Sequence, residues 1–426
     1  MKFPKLTNVS SLQLFQLMRF GGFFITGIIL VKLGTPLHIV GNYEKMMFIA
    51  GIASFFWVQG LTTTLLSNYT GHQRKEIYLF NVFLLISLLS ITAFILLRIF
   101  QQNIENIFSD SILPGYHYLA VFVLFNAPCY LIETIYILRH KSFALVNYGF
   151  ISTTGTIAAV ILPVYYGYSM ESAIAMLALW SALRYLWLLR ILLKYIIAEI
   201  NISFLKAHLI ISAPLILSFL VAGSAEYIDG FLVTHFFAPE KFAIFRYGAR
   251  ELPLSLLMAN ALSTVMIPLI KSNNGQTGYD QLKKETIRLM NIIFPVSLIL
   301  LAGSTFIYSF FFNHQFKESA AIFNIYLLLA ISRTLLPQSI IYANNGTKAL
   351  LGISIAEIII NCIASYLLLF KYGLIGIAWG TIIAHFSEKI MMGGYLLKWH
   401  GIKPYVYIPS RWYFYSAILL LVYFFS

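Results

Sequence analysis

The sequence predicts an all-α membrane protein that crosses the bilayer many times. Apolar stretches of helix length recur from residue 11 to residue 425, and short polar loops separate them. Hydrophobic residues make up 59% of the chain and charged residues only 11%, whereas a soluble domain carries about 25% charged residues. A helix spans the hydrocarbon core with about 20 apolar residues and satisfies its own backbone groups there. The function therefore has to involve the membrane.

The apolar pattern divides into twelve predicted transmembrane helices. Their predicted bounds are 11–32, 42–66, 77–98, 115–138, 145–166, 172–197, 207–236, 242–270, 286–311, 319–343, 350–370 and 374–398. A shorter apolar tail, 412–425, is either a thirteenth span, which puts the C-terminus outside, or an interfacial helix, which keeps it inside. These segments use almost the whole length of 426 residues and leave no room for a soluble catalytic domain.

The basic residues orient the predicted helices. With the N-terminus in the cytoplasm, the predicted cytoplasmic segments hold most of the Lys and Arg residues, beginning with Lys2 and Lys5. This distribution follows the positive-inside rule. The net charge of +13 is then explained by topology and by contact with anionic membrane lipids, so it predicts no nucleic-acid partner.

The sequence contains no signature of a cofactor, a metal site or a catalytic nucleophile. The two cysteines, Cys129 and Cys362, both fall within apolar segments, so we expect reduced core residues and neither a disulfide nor a zinc site. No metal-ligand spacing, phosphate-binding Walker loop or nucleophile motif is present. We therefore expect no ATP hydrolysis, no cofactor and no enzymatic activity.

The chain resembles itself in its two halves. Residues 130–178 align with residues 336–384, and both segments contain a Tyr-Gly turn. This predicts two pseudo-symmetric six-helix lobes, 1–200 and 201–398, around a central cavity, followed by a basic linker and short apolar tail, 399–426. Transporters with parallel repeats bind their substrate between the lobes and work by rocking them.

Several short motifs resemble one transporter family. The resemblance is to polysaccharide flippases of the Wzx type, in the multidrug/oligosaccharidyl-lipid/polysaccharide exporter superfamily, and it extends over nearly the whole chain. The motifs are Leu33-Gly34-Thr35-Pro36 with Gly41-Asn42-Tyr43, Ala238-Pro239-Glu240 with Ala243-Ile244-Phe245, Glu226-Tyr227-Ile228-Asp229, Thr264-Val265-Met266-Ile267-Pro268 and, as the most specific, Lys371-Tyr372-Gly373-Leu374-Ile375-Gly376-Ile377-Ala378.

The resemblance implies a function. A flippase of this type translocates a polyprenyl-diphosphate-linked oligosaccharide, such as an O-antigen or capsular repeat unit, across the bacterial cytoplasmic (inner) membrane by alternating access. The resemblance thus implies a role in lipopolysaccharide or capsule synthesis, with the lipid-linked glycan, membrane lipids and polysaccharide polymerase machinery as partners. It also implies that an ion gradient can drive transport.

Arginines inside the predicted helices are the candidate substrate-binding residues. Arg19, Arg184 and Arg333 have no acid within one helical turn, so each should face the cavity or an acid on another helix. Arg246 and Arg250 are spaced i, i+4 on predicted helix 8. The planar guanidinium fork of arginine suits a diphosphate, so all five could bind substrate anions.

Acids and a histidine inside the predicted helices are the candidate ion-coupling residues. Glu226 and Asp229 share one face of predicted helix 7, where they either bind an ion or hold Arg246 and Arg250 in a structural network. The other candidates are Glu357, His385 and Glu388. Glu388 has a structural alternative too, because Lys389 or Arg184 could neutralise it.

Two other functions stay open from the sequence. One is an ion-coupled multidrug exporter of the same superfamily, which we expect to feature intramembrane acids more than arginines. The other is a membrane polysaccharide polymerase or ligase, which we expect to carry a large outer loop with catalytic Arg or His residues. The longest predicted outer connection, residues 98–114, is short and poor in such residues, so an enzyme is disfavoured.

Overall fold

The computed structural model describes residues 8–108, 113–272 and 276–425, and every regular element within these ranges is helical, as predicted. Lys2 and Lys5 lie outside the described residues. The first eight α-helices are α1 (Asn8–Lys32), α2 (Leu37–Asn68), α3 (Lys75–Ile99), α4 (Gln101–Phe108), α5 (Tyr116–Leu138), α6 (Ser142–Tyr165), α7 (Met170–Leu192) and α8 (Ile202–Phe236). The others are α9 (Pro239–Gly248), α10 (Pro253–Ser272), α11 (Gln276–Phe311), α12 (Lys317–Leu327), α13 (Leu329–Arg333), α14 (Pro337–Ala343), α15 (Thr347–His400), α16 (Pro404–Tyr407) and α17 (Ser410–Phe425).

The chain divides into two compact units. Unit 1 comprises residues 1–223 and 234–243, and unit 2 comprises residues 224–233 and 244–426. The predicted lobe bounds at residues 200 and 398 stay predictions.

The number of spans differs from the prediction when length and hydropathy alone are applied. Within the described ranges, nine helices are long and apolar enough to cross a membrane, and a bent helix pair between residues 314 and 343 adds a tenth. The chain is therefore a multi-pass membrane protein, while the number twelve stays a prediction. Two shorter apolar helices accompany these spans, within α10 and at α17.

In unit 1 the core lies around α5. Leu61, Val82, Ile132 and Leu188, from four different helices, belong to one cluster of buried side chains. Large apolar side chains on the opposite faces of these helices, such as Leu186, are exposed. Because lipid solvates apolar side chains, these outward faces are consistent with residence in a bilayer.

In unit 2 prolines break two of the predicted helices. The predicted helix 242–270 is two helices, α9 and α10, because α10 begins at Pro253 after an irregular connection. The predicted helix 319–343 is three helices, α12 to α14. Leu336 is extended away from helical geometry (φ −119°, ψ 45°) because the ring of Pro337 disfavours the α region for its neighbour.

The helix α15 is a hairpin of two arms. Gly373 interrupts it with φ 60° and ψ −137°, which a side chain would disfavour. Ser365 Oγ then donates to the carbonyl of Ile377 at 3.3 Å, whereas the same residues in a straight helix would lie roughly 18 Å apart. The arms, residues 347–372 and 374–400, therefore run antiparallel, as the two predicted helices 350–370 and 374–398 require.

Small residues let the two arms approach closely. A Cβ atom built on Gly380 would lie 2.5 Å from the Cα atom and the backbone nitrogen of Ser365. A Cβ atom on Gly376 would similarly overlap the backbone of Leu368. Gly376 and Gly380 are four residues apart, the spacing that favours close helix packing in membranes.

The C-terminal tail packs on unit 2 as a helix. The indole Nε1 of Trp412 donates to the carbonyl of Ile331 at 3.0 Å, next to the break between α13 and α14. Tyr415 Oη donates to Asn291 Oδ1 at 2.9 Å. The sixteen residues of α17 extend about 24 Å, less than the roughly 30 Å hydrocarbon core. The side on which the C-terminus lies stays a prediction.

We predict that Gly380→Val lowers thermal stability, because its side chain has to separate the two arms of α15. Overpacking of this kind costs about 1–3 kcal/mol. The melting temperature of the detergent-purified protein measures the effect. Gly394→Ala is the matched control, because a Cβ at this glycine meets no atom within 4 Å and should leave the melting temperature unchanged. Equal melting temperatures for the two variants would contradict the close approach.

Candidate functional site

In unit 1, Arg19 finds its acid on another helix. Arg19 Nη1 on α1 lies 3.4 Å from Glu133 Oε2 on α5, and its guanidinium packs over the rings of Phe15 and Tyr130. An ion pair with aromatic neighbours lowers the cost of placing the arginine inside a membrane. The sequence left two alternatives for Arg19, the cavity or an acid on another helix, and the structure places it beside the acid.

Arg184 has only neutral partners. Its Nη2 donates to Asn126 Oδ1 at 2.6 Å and its Nη1 donates to Ser152 Oγ at 3.2 Å. Its Nε is buried and has no hydrogen-bond partner. No carboxylate among the described residues lies within ion-pair distance of this guanidinium. Arg184 therefore holds a partly buried positive charge that amide and hydroxyl oxygens solvate but do not neutralise.

Arg19 and Arg184 lie near the same part of α6. Phe15, below the Arg19 guanidinium, stacks on Tyr148 with 6.0 Å between ring centroids. Ser152, which accepts from Arg184, follows Tyr148 by one helical turn. Because Glu133 neutralises one of the two arginines, this region of unit 1 carries one excess positive charge.

In unit 2, Glu226 on α8 holds two arginines. Its Oε1 accepts from Arg246 Nη1 at 2.5 Å and from Arg250 Nη1 at 3.3 Å, and Arg250 Nε donates to the carbonyl of Arg246 at 3.2 Å. The expected cluster of Glu226 with both arginines is therefore present. The expected i, i+4 spacing on one helix is wrong, because Arg246 lies near the end of α9 and Arg250 lies in the connection to α10.

Asp229 does not join this cluster. Its buried carboxylate accepts from Tyr326 Oη at 3.1 Å and Ser365 Oγ at 3.2 Å, and also from Thr381 Oγ1. Within the described ranges it has no ion pair. Asn361 donates to Thr381 Oγ1 at 3.3 Å and keeps its own Oδ1 buried without a hydrogen-bond partner. The result is a buried pocket of oxygen atoms around one carboxylate.

Arg333 forms a bidentate pair. Its Nε donates to Glu251 Oε1 at 2.6 Å and its Nη2 donates to Glu251 Oε2 at 2.8 Å. This fork-to-fork geometry is the strongest arrangement available to an arginine and a carboxylate. Arg333 therefore has the partner on another segment that the sequence required of it.

The remaining ionisable residues of unit 2 meet across the α15 hairpin. His385 Nδ1 lies 2.8 Å from Glu357 Oε1 on the opposite arm. Lys389 Nζ lies 3.1 Å from Glu388 Oε2 and 3.4 Å from Gln338 Oε1. Of the two neutralising residues that the sequence allowed for Glu388, the structure selects Lys389.

Sequence reasoning missed the uncharged members of these sites. Asn126 and Ser152 around Arg184, and Ser365 and Thr381 around Asp229, are ordinary polar residues in apolar helices. Only the packing of separate helices shows what they contact. The Gly376 and Gly380 spacing was the available signal, because it marks where the arms of α15 approach each other closely.

Comparisons with known proteins agree with the fold. The model of the family described as "Polysaccharide biosynthesis protein" matches residues 40–321. Among curated protein sequences, none matches this chain. The structure of "Lipid II flippase MurJ, inward closed conformation" is similar with a TM-score of 0.70 and 20% identity, covering 97% of this chain and 92% of that chain.

Multidrug transporters share the fold as well. A structure described as a multidrug resistance MATE family transporter of the MOP superfamily has a TM-score of 0.61 and 12% identity, covering 97% of this chain and 99% of that chain. The Vibrio cholerae MATE transporter VcmN has a TM-score of 0.57 and 14% identity, covering 91% and 98%. At these identities the likeness concerns the fold alone.

We predict that charge exchange separates the Glu226 cluster from Asp229. Arg250→Glu should lower the melting temperature, because it places a second carboxylate beside Glu226. Adding Glu226→Lys restores the charge balance and should recover about half of the loss or more, as expected for residues in direct contact.

Adding Asp229→Lys to Arg250→Glu is the matched control for this experiment. Asp229 is buried among hydroxyl groups, so this addition should lower the melting temperature further. Equal rescue by the two lysine substitutions would show that Asp229 belongs to the arginine cluster after all.

Proposed function

We propose, from the premise that this chain belongs to the family of polysaccharide biosynthesis proteins, that it flips a polyprenyl-diphosphate-linked oligosaccharide across a membrane by alternating access. The family and the fold shared with the structures of a lipid II flippase and of MATE transporters support a membrane transporter rather than an enzyme. The finer proposal concerns the cargo, an O-antigen or capsular repeat unit, and the bacterial cytoplasmic membrane, with the N-terminus of the chain in the cytoplasm.

The observation that carries the proposal is the uncompensated charge of Arg184. A cation inside a membrane protein is costly unless an anion or several dipoles offset it. Arg184 has only the dipoles of Asn126 and Ser152, and Arg19 nearby has one carboxylate for its own charge. A diphosphate supplies the missing negative charge and accepts several N–H groups at once.

The same charge argues against cationic drugs as substrates. A cationic drug beside Arg19 and Arg184 would meet an excess positive charge, because Glu133, the carboxylate in contact with Arg19, already pairs with that arginine. A sugar diphosphate instead requires positive charge and polar partners, because its anion and its hydroxyl groups have to leave water while the lipid tail stays in the bilayer. The arginines of unit 1 thus favour the lipid-linked glycan over a drug.

Asp229 is the residue that we propose for ion coupling. Its carboxylate is buried among hydroxyl oxygens and has no ion-pair partner among the described residues. It contacts the same Thr381 hydroxyl as Asn361, whose Oδ1 is buried without a hydrogen-bond partner. A proton or a sodium ion there would neutralise a charge that is otherwise costly to bury. Glu226 is less suited to this role, because two arginines already hold it.

The proposed cargo also defines the proposed partners. A polyprenyl-diphosphate-linked glycan that reaches the outer leaflet is a substrate for polysaccharide polymerase machinery, which would consume the transported product. The lipid tail keeps the cargo in contact with membrane lipids throughout. No nucleic acid is involved in this proposal.

We predict that Arg184→Gln reduces the rate at which a polyprenyl-diphosphate-linked glycan is flipped in proteoliposomes. The expected reduction is about tenfold to a hundredfold, which corresponds to the loss of one hydrogen bond between charged groups. Arg190→Gln on the same helix is the matched control, because Arg190 is exposed and should be dispensable. If the unsubstituted protein transports cationic dyes and not the glycan, its function is that of a multidrug exporter and the proposed flippase function is wrong.

We predict that Asp229→Asn uncouples transport from the ion gradient. The unsubstituted protein should flip the glycan faster when a sodium or proton gradient is imposed on the proteoliposomes, and the variant should lose that acceleration. Asp280→Asn, at an exposed position, controls for the loss of a carboxylate elsewhere. A gradient response that survives in Asp229→Asn would exclude this residue as the coupling site.

A further inference from the structure

The hairpin of α15 brings three metal-ligating side chains together. Glu357 lies on the first arm, and His385 and Glu388 lie one turn apart on the second. One ligand atom from each residue lies within 4.8 Å of the others. All three side chains are largely buried, and Glu357 and His385 each lie roughly 20 Å along their arms from the turn at Gly373.

The contact between His385 and Glu357 is close but poorly aligned for a hydrogen bond. The two atoms lie 2.8 Å apart, and His385 Nδ1 is a buried nitrogen without a well-aligned hydrogen-bond acceptor. Two ligands of one metal ion show such contacts. With bonds of about 2.0–2.2 Å to the metal, cis ligands lie roughly 3 Å apart.

The charge around these residues is also unbalanced. Three carboxylates meet here, Glu251, Glu357 and Glu388, but only two permanent cations pair with them. Arg333 is committed to Glu251, and Lys389 lies against Glu388. The permanent charges of these described side chains thus sum to one negative charge inside a membrane-spanning hairpin, and the His385 imidazole beside Glu357 offsets it only if it is protonated. A bound cation would offset it.

We infer that Glu357, His385 and Glu388 bind a divalent first-row transition metal ion, such as Zn²⁺, Mn²⁺ or Fe²⁺. Imidazole nitrogen with carboxylate oxygen is a donor set that these ions accept, whereas Na⁺ and Mg²⁺ prefer oxygen alone. Helical bundles build metal sites in the same way, from a Glu on one helix and a Glu and His spaced i, i+3 on a facing helix. His385 and Glu388 have this spacing in the reverse order, with the histidine first.

Lys389 limits the affinity of the site. Its ammonium group and the metal ion compete for the Glu388 carboxylate, and both are positive. When the metal binds, Lys389 can keep its contact with Gln338 Oε1, now at 3.4 Å. Removal of the lysine charge should therefore strengthen metal binding, which is the opposite of what removal of a ligand does.

A metal ion at this position would join the two arms of the hairpin. The expectation of no metal site rested on the lack of a metal-ligand motif in the sequence, where Glu357 and His385 are 28 positions apart. Metal affinity is measurable on the purified chain without any transport assay. The inference is therefore independent of the proposed flippase function, and either can fail alone.

The test is metal binding to the full-length protein in nanodiscs after removal of metals with a chelator. Isothermal titration with Zn²⁺ and Mn²⁺ should give one ion per chain. His385→Ala and Glu357→Gln should each weaken binding by about tenfold or more, and Lys389→Met should strengthen it. Glu285→Gln, a carboxylate on α11 outside the site, is the matched control and should bind as the unsubstituted protein does.

A second measurement needs no variant. Co²⁺ added to the unsubstituted protein should give the visible absorption of a low-symmetry nitrogen and oxygen site, and Zn²⁺ should abolish it. The inference is overturned if the unsubstituted protein binds none of these ions, or if binding is unchanged in His385→Ala. The inference is also overturned if the protein shows a pH-dependent property that requires His385 while no metal binds. The cation at this position would then be a proton.

Discussion

The cost of a charge in hydrocarbon is the constraint on which the rest of this structure depends. Helix packing provides each intramembrane arginine with oxygen atoms from a different segment of the chain. Arg19 on α1 pairs with Glu133 on α5, and Arg333 pairs with Glu251 in bidentate geometry. Such pairs restrict which helices can be neighbours, because removal of one partner leaves an uncompensated charge within the membrane-spanning region. The first role of these ion pairs is therefore to stabilise the packing of the helices.

Function follows from the places where this compensation is incomplete. Arg184 has an amide and a hydroxyl group in place of a carboxylate, and Asp229 has hydroxyl groups in place of a cation. One site is short of negative charge and lies in unit 1, and the other is short of positive charge and lies in unit 2. An anionic cargo and a coupling cation are the complementary ligands, which is the pairing that an ion-driven flippase requires.

Backbone features position these charges. The break after α13 and the irregular connection before α10 place Arg333 and Glu251 at helix ends, where the chain can turn them toward each other. In α15, the close approach at Gly380 brings Ser365 beside Thr381, and both hydroxyl groups reach Asp229. The same antiparallel arms bring Glu357 to His385 further along. Prolines and glycines that interrupt the apolar pattern thus build the polar sites.

The sequence by itself determined the helical class, the membrane location and the set of charged residues, because hydropathy and charge are properties of local sequence, and its short motifs indicated the family by resemblance. It also contained the breaks at Pro253 and Pro337, although the apolar pattern hid them and predicted continuous helices. Only the tertiary structure decided the partners of these charged residues. Glu226 pairs with Arg246 and Arg250, whereas Asp229, one turn away, contacts hydroxyl groups. Arg184 has no acid as a partner among the described residues. The physical reason is that pairing in a membrane occurs between helices that are distant in sequence, and no local pattern specifies which faces will meet.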